Sequence, residues 1–507
     1  MTPLGYQALI TRYGLQCPPL VQVFVLSPKT GLVKHTVAAD GSERTEIPRN
    51  RYSGSTDTVA HLTFALKRER LNLTVLAALF SHPEAVQSVQ DWLQATPSSI
   101  YARIAGYLAK WLCGTRFDFV LPPGAQRVSI LDESEYIVAP AEPDPQFGVL
   151  NNLLGSPAFC PVVRKTETLN TLLALNLREK VTQAISRIDP EVLIRAVDYL
   201  YLSETRSTFS IEKEIPDNQR AARFRQLLET AGEPGLVTED QLCGWQNQIM
   251  SSYASEASYR TQQNWLSRSG RLRNIADYIP PSPEYVHRMM DGVAKVAKLG
   301  ADNLIDPAIA AACAAFGFVF VHPFMDGNGR LHRFLIHHIL RQSGYTPAGV
   351  VLPISARMLK SLDRYSKLLK SYSAPRTALL DYVLDDDSGT ILIRSSQPLW
   401  LYASFDATDM CEFLLACVAQ CVEEDLAQEV KYLEAFDRAK TRLEAWLDMP
   451  QPQLSLLIRL IVQGNGELSE RKRKRFDTMS ETSLARAEEV VSDEFADYIS
   501  MFGASLD

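Results

Sequence analysis

From Asp57 the stretch DTVAHLTFALKRERLNLTVLAALF sets apolar residues at three- and four-residue spacing, which predicts helix with Asp57 as its cap. Further along, the same periodicity predicts helices over 98–113, 166–186 and 189–205, the last with Asp189 as cap and Pro190 first. Another is expected from Thr238 to about Ser252, opened by a capping box of Thr238 and Gln241. Ser282 with Pro283, and Asp306 with Pro307, mark two more helix starts, running to about Leu299 and Val321. Helices are also predicted over 329–342, ending at Gly344, and over 356–370. The last hundred residues read as helical, broken near Pro450 and Pro452. Period-two alternation is rarer. LVQVFVLSPKTGLVKHT (20–36) alternates around Pro28-Lys29-Thr30-Gly31 and predicts a β-hairpin. Tyr259 to Tyr278, with Gly270 inside it, reads as a hairpin or flap, and residues 116–160, rich in Pro, Gly and Asn, as a partly extended connection. The fold class is mainly α with one or two small β-hairpins.

Composition narrows the picture. At 507 residues the chain easily buries a core, and two to four domains are expected. A formal charge of -7 argues against a nucleic-acid or anionic-membrane binder, and the basic run Arg471 to Arg475 reads as a solvated helix face. No apolar stretch approaches the roughly 18 residues of a membrane span. The N-terminus lacks a basic segment followed by an apolar one, so no signal peptide is expected. Eight dispersed cysteines without a CxxC pair suggest free thiols and a cytoplasmic location. The first 160 residues carry no visible chemistry.

Chemistry concentrates in HPFMDGNGRLHR, residues 322–333. Gly327 and Gly329 flank Asn328 at a helix start, where the first amides lack internal acceptors and form an anion site. Arg330 and Arg333 share one face of the first turns, and two guanidinium groups beside an amide nest suit a polyphosphate. A carboxylate at Asp326 would repel that phosphate unless a cation lay between them, so Mg²⁺ is implied. His322 can accept a proton from an attacking hydroxyl. Phe324 reads as the anchor that buries the loop.

These twelve residues resemble the Fic family signature, H-x-F-x-[DE]-G-N-G-R-x-x-R, at every defined position. The resemblance runs from about residue 190 to about 385. It implies a Fic-type helical core with a small β-hairpin flap, and four segments: an N-terminal module (1–160), a helical segment with an inhibitory helix (161–235), the catalytic core (236–390) and a C-terminal helical module (391–507). The activity it implies is a protein adenylyltransferase, a nucleotidyltransferase moving AMP from ATP to a Ser, Thr or Tyr hydroxyl of a protein target, or of the chain itself. On that resemblance His322 is the general base, Asp326 holds Mg²⁺, and Gly327, Asn328 and Gly329 form the anion hole. Arg330 assists phosphate binding, Arg333 reaches the γ-phosphate and Tyr365 lines the nucleotide pocket. Asn264, Trp265, Leu266 and Ser267 form the flap that pairs with target backbone. Where some relatives carry Asn eight residues beyond the Tyr, this chain has Ser373.

Many Fic proteins resemble one another also in a silencing helix, [ST]-x-x-x-E-[GN]. Thr208 to Glu212 fits its first five positions, and Lys213 replaces the Gly or Asn. Glu212 is then expected to pair bidentately with Arg333 and withhold it from ATP. Two alternatives stand beside AMP transfer. The same scaffold could remove AMP or transfer another phosphate-containing group, or it could be a non-catalytic nucleotide sensor; self-association into a homo-oligomer could regulate the brake.

Overall fold

The computed structural model describes residues 1–52, 54, 56–235, 237–250, 254–268, 275–385 and 390–502. It is 57% helix and 10% strand, which bears out the mainly-α expectation. Two compact units emerge. One comprises Met1–Ala174, Ile215–Gly344 and Ser361–Leu415, the other Leu175–Glu214, Tyr345–Lys360 and Ala416–Asp507.

In the first unit the hairpin expected over 20–36 does not form. Gln22–Ser27 pairs in parallel with Glu43–Pro48, and Lys34–Val37 joins the far side of Glu43–Pro48 antiparallel. The reason is which strand has an apolar face. Glu43–Pro48 buries Ile47 beside Phe24 and Phe64, whereas all four residues of Lys34–Val37 are exposed. The helix expected from Asp57 is two, Thr58–Arg68 and Leu73–Phe80. Asp57 caps the first by accepting the Ala60 N–H at 2.8 Å, and Asn72 caps the second by accepting that of Val75 at 3.0 Å. Residues 116–162 supply four short strands, of which Cys160–Val162 pairs in parallel with Ser404–Asp406.

The centre of this unit is three helices, Pro283–Ala301, Pro307–Val321 and Asn328–Gln342. Pro307–Val321 is apolar and buried on every side. Asp306 accepts the N–H groups of Ala308 (2.8 Å) and Ile309 (3.3 Å), which fixes where that helix starts. Ser282 stands at the cap position before Pro283 but makes no side-chain cap bond, a departure from its expected role. The Thr238–Gln241 capping box forms in both directions ahead of Glu239–Ile249, and the expected end at Ser252 lies outside the described residues, as does Gly270.

On the helix Asn328–Gln342, His338 accepts the Gly232 N–H at 3.2 Å and packs its ring on Trp245. Burial lowers its pKa from 6.5 to about 4. Above pH 6.5 both folded and unfolded forms hold a neutral ring. Between 6.5 and 4 only the unfolded form takes the proton, so stability falls as pH falls through that window. The expected loss is about 3 kcal/mol. Denaturant midpoints from pH 7 to 4 should fall less steeply for His338→Gln than for the unchanged protein.

In the second unit, Asp189 caps a helix longer than predicted, Pro190–Ile211. Its buried stripe continues through Leu200, Tyr201, Glu204, Thr205, Thr208 and Phe209, which carries it past the expected end at Thr205. Glu204 accepts both the N–H and the hydroxyl of Ser355, and Arg195 pairs with Asp437. The expected helix 166–186 breaks at Asn176, which has φ 47°, and the expected helix 356–370 breaks at Ser361. The C-terminal helix Gln451–Gln463 starts directly after Pro450. In the basic run, Arg473 pairs with Glu481 and Glu488, as a structural helix end would.

Pro190–Ile211 ends in a Schellman turn. The Glu214 N–H donates to Phe209 O and the Lys213 N–H to Ser210 O, both at 3.0 Å. Lys213 therefore sits at φ 60°, a left-handed position that suits Gly or Asn. This is a physical reason for Gly or Asn to follow the Glu in the silencing pattern. Lys213→Gly is expected to stabilise the protein by about 0.5–1 kcal/mol, visible as a higher urea midpoint.

Candidate active site

The site begins where the helix Pro307–Val321 stops. His322 takes φ 53° and ψ 60°, a left-handed conformation that ends the helix and turns the chain. Its Nδ1 lies 3.3 Å from Val319 O. A carbonyl only accepts, so that bond places the proton on Nδ1 and the lone pair of the neutral ring on Nε2. Phe324 is fully buried, with Tyr259 and Phe318 around it, as the anchor reading expected.

Asn328 closes the loop on itself. Its Oδ1 accepts the Phe324 N–H at 3.0 Å and its Nδ2 donates to Phe324 O at 2.7 Å. Gly327, at φ 85°, begins the next helix, and any other residue there would be strained. Its N–H donates to Asp326 Oδ1 at 2.6 Å, and Arg330 stands 3.5 Å from the same oxygen. Both guanidinium groups, Arg330 and Arg333, are almost fully buried on the first turns of Asn328–Gln342, whereas the Asp326 side chain is 64% exposed. The second histidine of the stretch, His332, is structural. Its Nδ1 bonds Ala315 O at 2.7 Å and its ring packs on Phe316.

The loop is also held from outside by residues the sequence reading did not single out. Arg260 is buried, and its Nε donates to His322 O at 2.9 Å. Its other nitrogens reach Pro281 O, Val321 O and Gln262 O. Burial lowers its pKa to about 10. Glu256 Oε1 accepts the N–H groups of Met325 (2.8 Å) and Asp326 (3.4 Å). Burial, with Asp326 nearby, raises the Glu256 pKa against those two bonds. Neither residue lies on an amphipathic helix or in a motif, so no periodic signal marks them.

The flap is a two-stranded antiparallel ribbon, Leu266–Arg268 with Ile275–Tyr278. Leu266 and Ser267 lie in its first strand. Asn264 is instead buried ahead of the strand, with Nδ2 donating to Phe324 O at 2.9 Å, and Trp265 is half-buried between them. Tyr365 is buried among Phe316, His332 and Phe413, with ring centres 6.0 to 6.1 Å away, and Ser373 is buried on the same helix, Leu362–Thr377. Thr208 and Glu212 belong to the second unit, where Thr208 is buried and Glu212 is the exposed residue that closes its helix.

A helix-end histidine, a glycine-turned amide nest and two buried arginines form, on a helical framework, an arrangement that suits an anion such as phosphate. Residues 236–340 match the Fic/DOC family, and that segment is a Fic domain. The chain is similar to protein adenylyltransferase fic-1 of Caenorhabditis elegans, 39% identical over 93 residues. That match spans 18% of this chain and 18% of the relative. With protein adenylyltransferase Fic of Drosophila melanogaster the identity is 25% over 171 residues, 32% of each. A solved Fic family protein from Desulfovibrio desulfuricans G20 covers 66% of this chain and 90% of its own at 17% identity and a TM-score of 0.35, a superposition too loose to bear on the site. Among the described residues no helix is long and apolar enough to cross a membrane.

Proposed function

We propose that the chain is a protein adenylyltransferase that moves AMP from ATP to a hydroxyl side chain of a protein target, and that Glu212 restrains it at rest. The observation that carries this reading is the Asn328-closed loop, which sets His322, Asp326 and the amide nest on one short turn beside two buried arginines. The nest and Arg330 would bind the phosphates, and Arg333 the γ-phosphate. His322 Nε2 would take the proton of the target hydroxyl as its oxygen bonds to the α-phosphorus. The bond from that phosphorus to the bridging oxygen breaks, and pyrophosphate leaves.

Asp326 fits a magnesium ion that arrives with the nucleotide. It is one exposed carboxylate at the edge of a nest, and Mg²⁺ commonly binds through one or two carboxylates plus phosphate oxygens and water. When bound, the ion would neutralise charge on the α- and β-phosphates. The flap strand Leu266–Arg268 would present its outer edge to target backbone. Tyr365 would act from the wall behind His332 as a support for the nucleotide pocket.

The test is incubation of the protein, and of Glu212→Gly, with ATP labelled at the α-phosphate and a mixed protein lysate. Label on protein that adds the mass of AMP supports the reading. Label from the γ-phosphate only, or none from either protein, overturns it.

A further inference from the structure

Residues 256–264 lie along the first half of the loop as a strap. From Val321 to Asp326, each residue has a backbone group bonded to it. Arg260 serves the carbonyls of Val321, His322 and Pro323, the last through its own N–H at 2.8 Å. Asn264 serves that of Phe324, and Glu256 the N–H groups of Met325 and Asp326. Glu256 is in turn held from the helix Glu239–Ile249. Its N–H donates to Asn247 Oδ1 at 2.8 Å and to Gln246 Oε1 at 3.3 Å, and Asn247 Nδ2 donates to its carbonyl at 3.1 Å. Gln246, fully buried, also reaches from this helix to Asp326 O at 3.4 Å.

A carboxylate here is electrostatically awkward. It stands beside Asp326 and beside a site suited to phosphate, where its charge disfavours both. An acceptor at this point has a separate use. Without it, the Met325 and Asp326 amides would be two more donors in an anion-binding turn. We propose that Glu256 is a positioning residue. By occupying those two amides it keeps them out of the phosphate nest and fixes where Asp326 leaves the backbone. This rests on the nucleotide-binding reading above.

Two measurements on the full chain separate the two ideas. One is hydrogen exchange of peptides spanning 321–327, the other titration with ADP at fixed Mg²⁺. In Glu256→Ala, exchange at Met325 and Asp326 is expected to quicken by about tenfold or more. ADP affinity should fall about tenfold to a hundredfold. Glu256→Gln, whose amide oxygen still accepts, should restore most of both, and Glu256→Asp, one methylene short, should not. Should Glu256→Ala not fold, the Gln and Asp variants decide alone. Unchanged exchange, or a Gln variant no better than Asp, overturns the proposal. If the unchanged protein binds no ADP, the nucleotide reading fails, while the exchange comparison still decides whether Glu256 holds the loop.

Discussion

His322→Ala is expected to lower AMP transfer by about 10²–10⁴-fold, the usual contribution of a positioned general base. Fold should survive. The Nδ1 bond to Val319 O is long, and the turn is held by the Arg260 bond to the backbone carbonyl of residue 322 rather than to the ring. The left-handed φ of 53° is a separate matter, because Ala tolerates it less well than His. His322→Asn is therefore the matched control, since Asn adopts that conformation readily and offers no base of suitable pKa. Both variants should lose transfer together, at a thermal midpoint near that of the unchanged protein and with ADP binding retained. Transfer retained in either would remove the base assignment.

The second large effect has the opposite sign. Glu212→Gly is expected to raise transfer by about 10–100-fold, the range of a typical coupling free energy between sites. Arg333 is 1% exposed, and a buried guanidinium strongly favours an anionic partner. The γ-phosphate and the Glu212 carboxylate would compete for it, so whichever binds more tightly sets the resting state. Gly at this position also weakens the helix end, which alone could change activity. Glu212→Gln keeps the length and helix propensity of the side chain and removes only the charge, so it should recover most of the increase. Equal labelling by all three proteins would dismiss the restraint.

Much of the site was legible because its chemistry is local. Histidine, carboxylate, glycine turn and arginines fall within one loop and two helical turns, where spacing alone determines proximity. Helix starts were legible for the same reason: Asp57, Asp189, Thr238 and Asp306 each satisfy amides two or three residues away. The failures are non-local. The pairing of Gln22–Ser27 with Glu43–Pro48 depends on which distant strand has an apolar face. The breaks at Asn176 and Ser361 interrupt continuous helical patterns with no Gly or Pro to announce them. Glu256 and Arg260 are the same case at the site. Each acts on backbone more than sixty residues ahead, and nothing in their immediate neighbours records it.

The helix breaks at Asn176 and Ser361 have a practical consequence for dissecting the protein. The chain passes from one unit to the other at residues 174/175, 214/215, 344/345, 360/361 and 415/416, so the units are interleaved along the sequence. No single cut releases either of them whole. A fragment that stops at residue 415 keeps the helix bearing Thr208 and Glu212 but deprives it of Asp437, the partner of Arg195, and deprives Arg357 of Glu424 and Asp425. Heightened activity in such a fragment would thus report a loosened helix as readily as a missing regulatory domain, and point substitutions are the cleaner instrument.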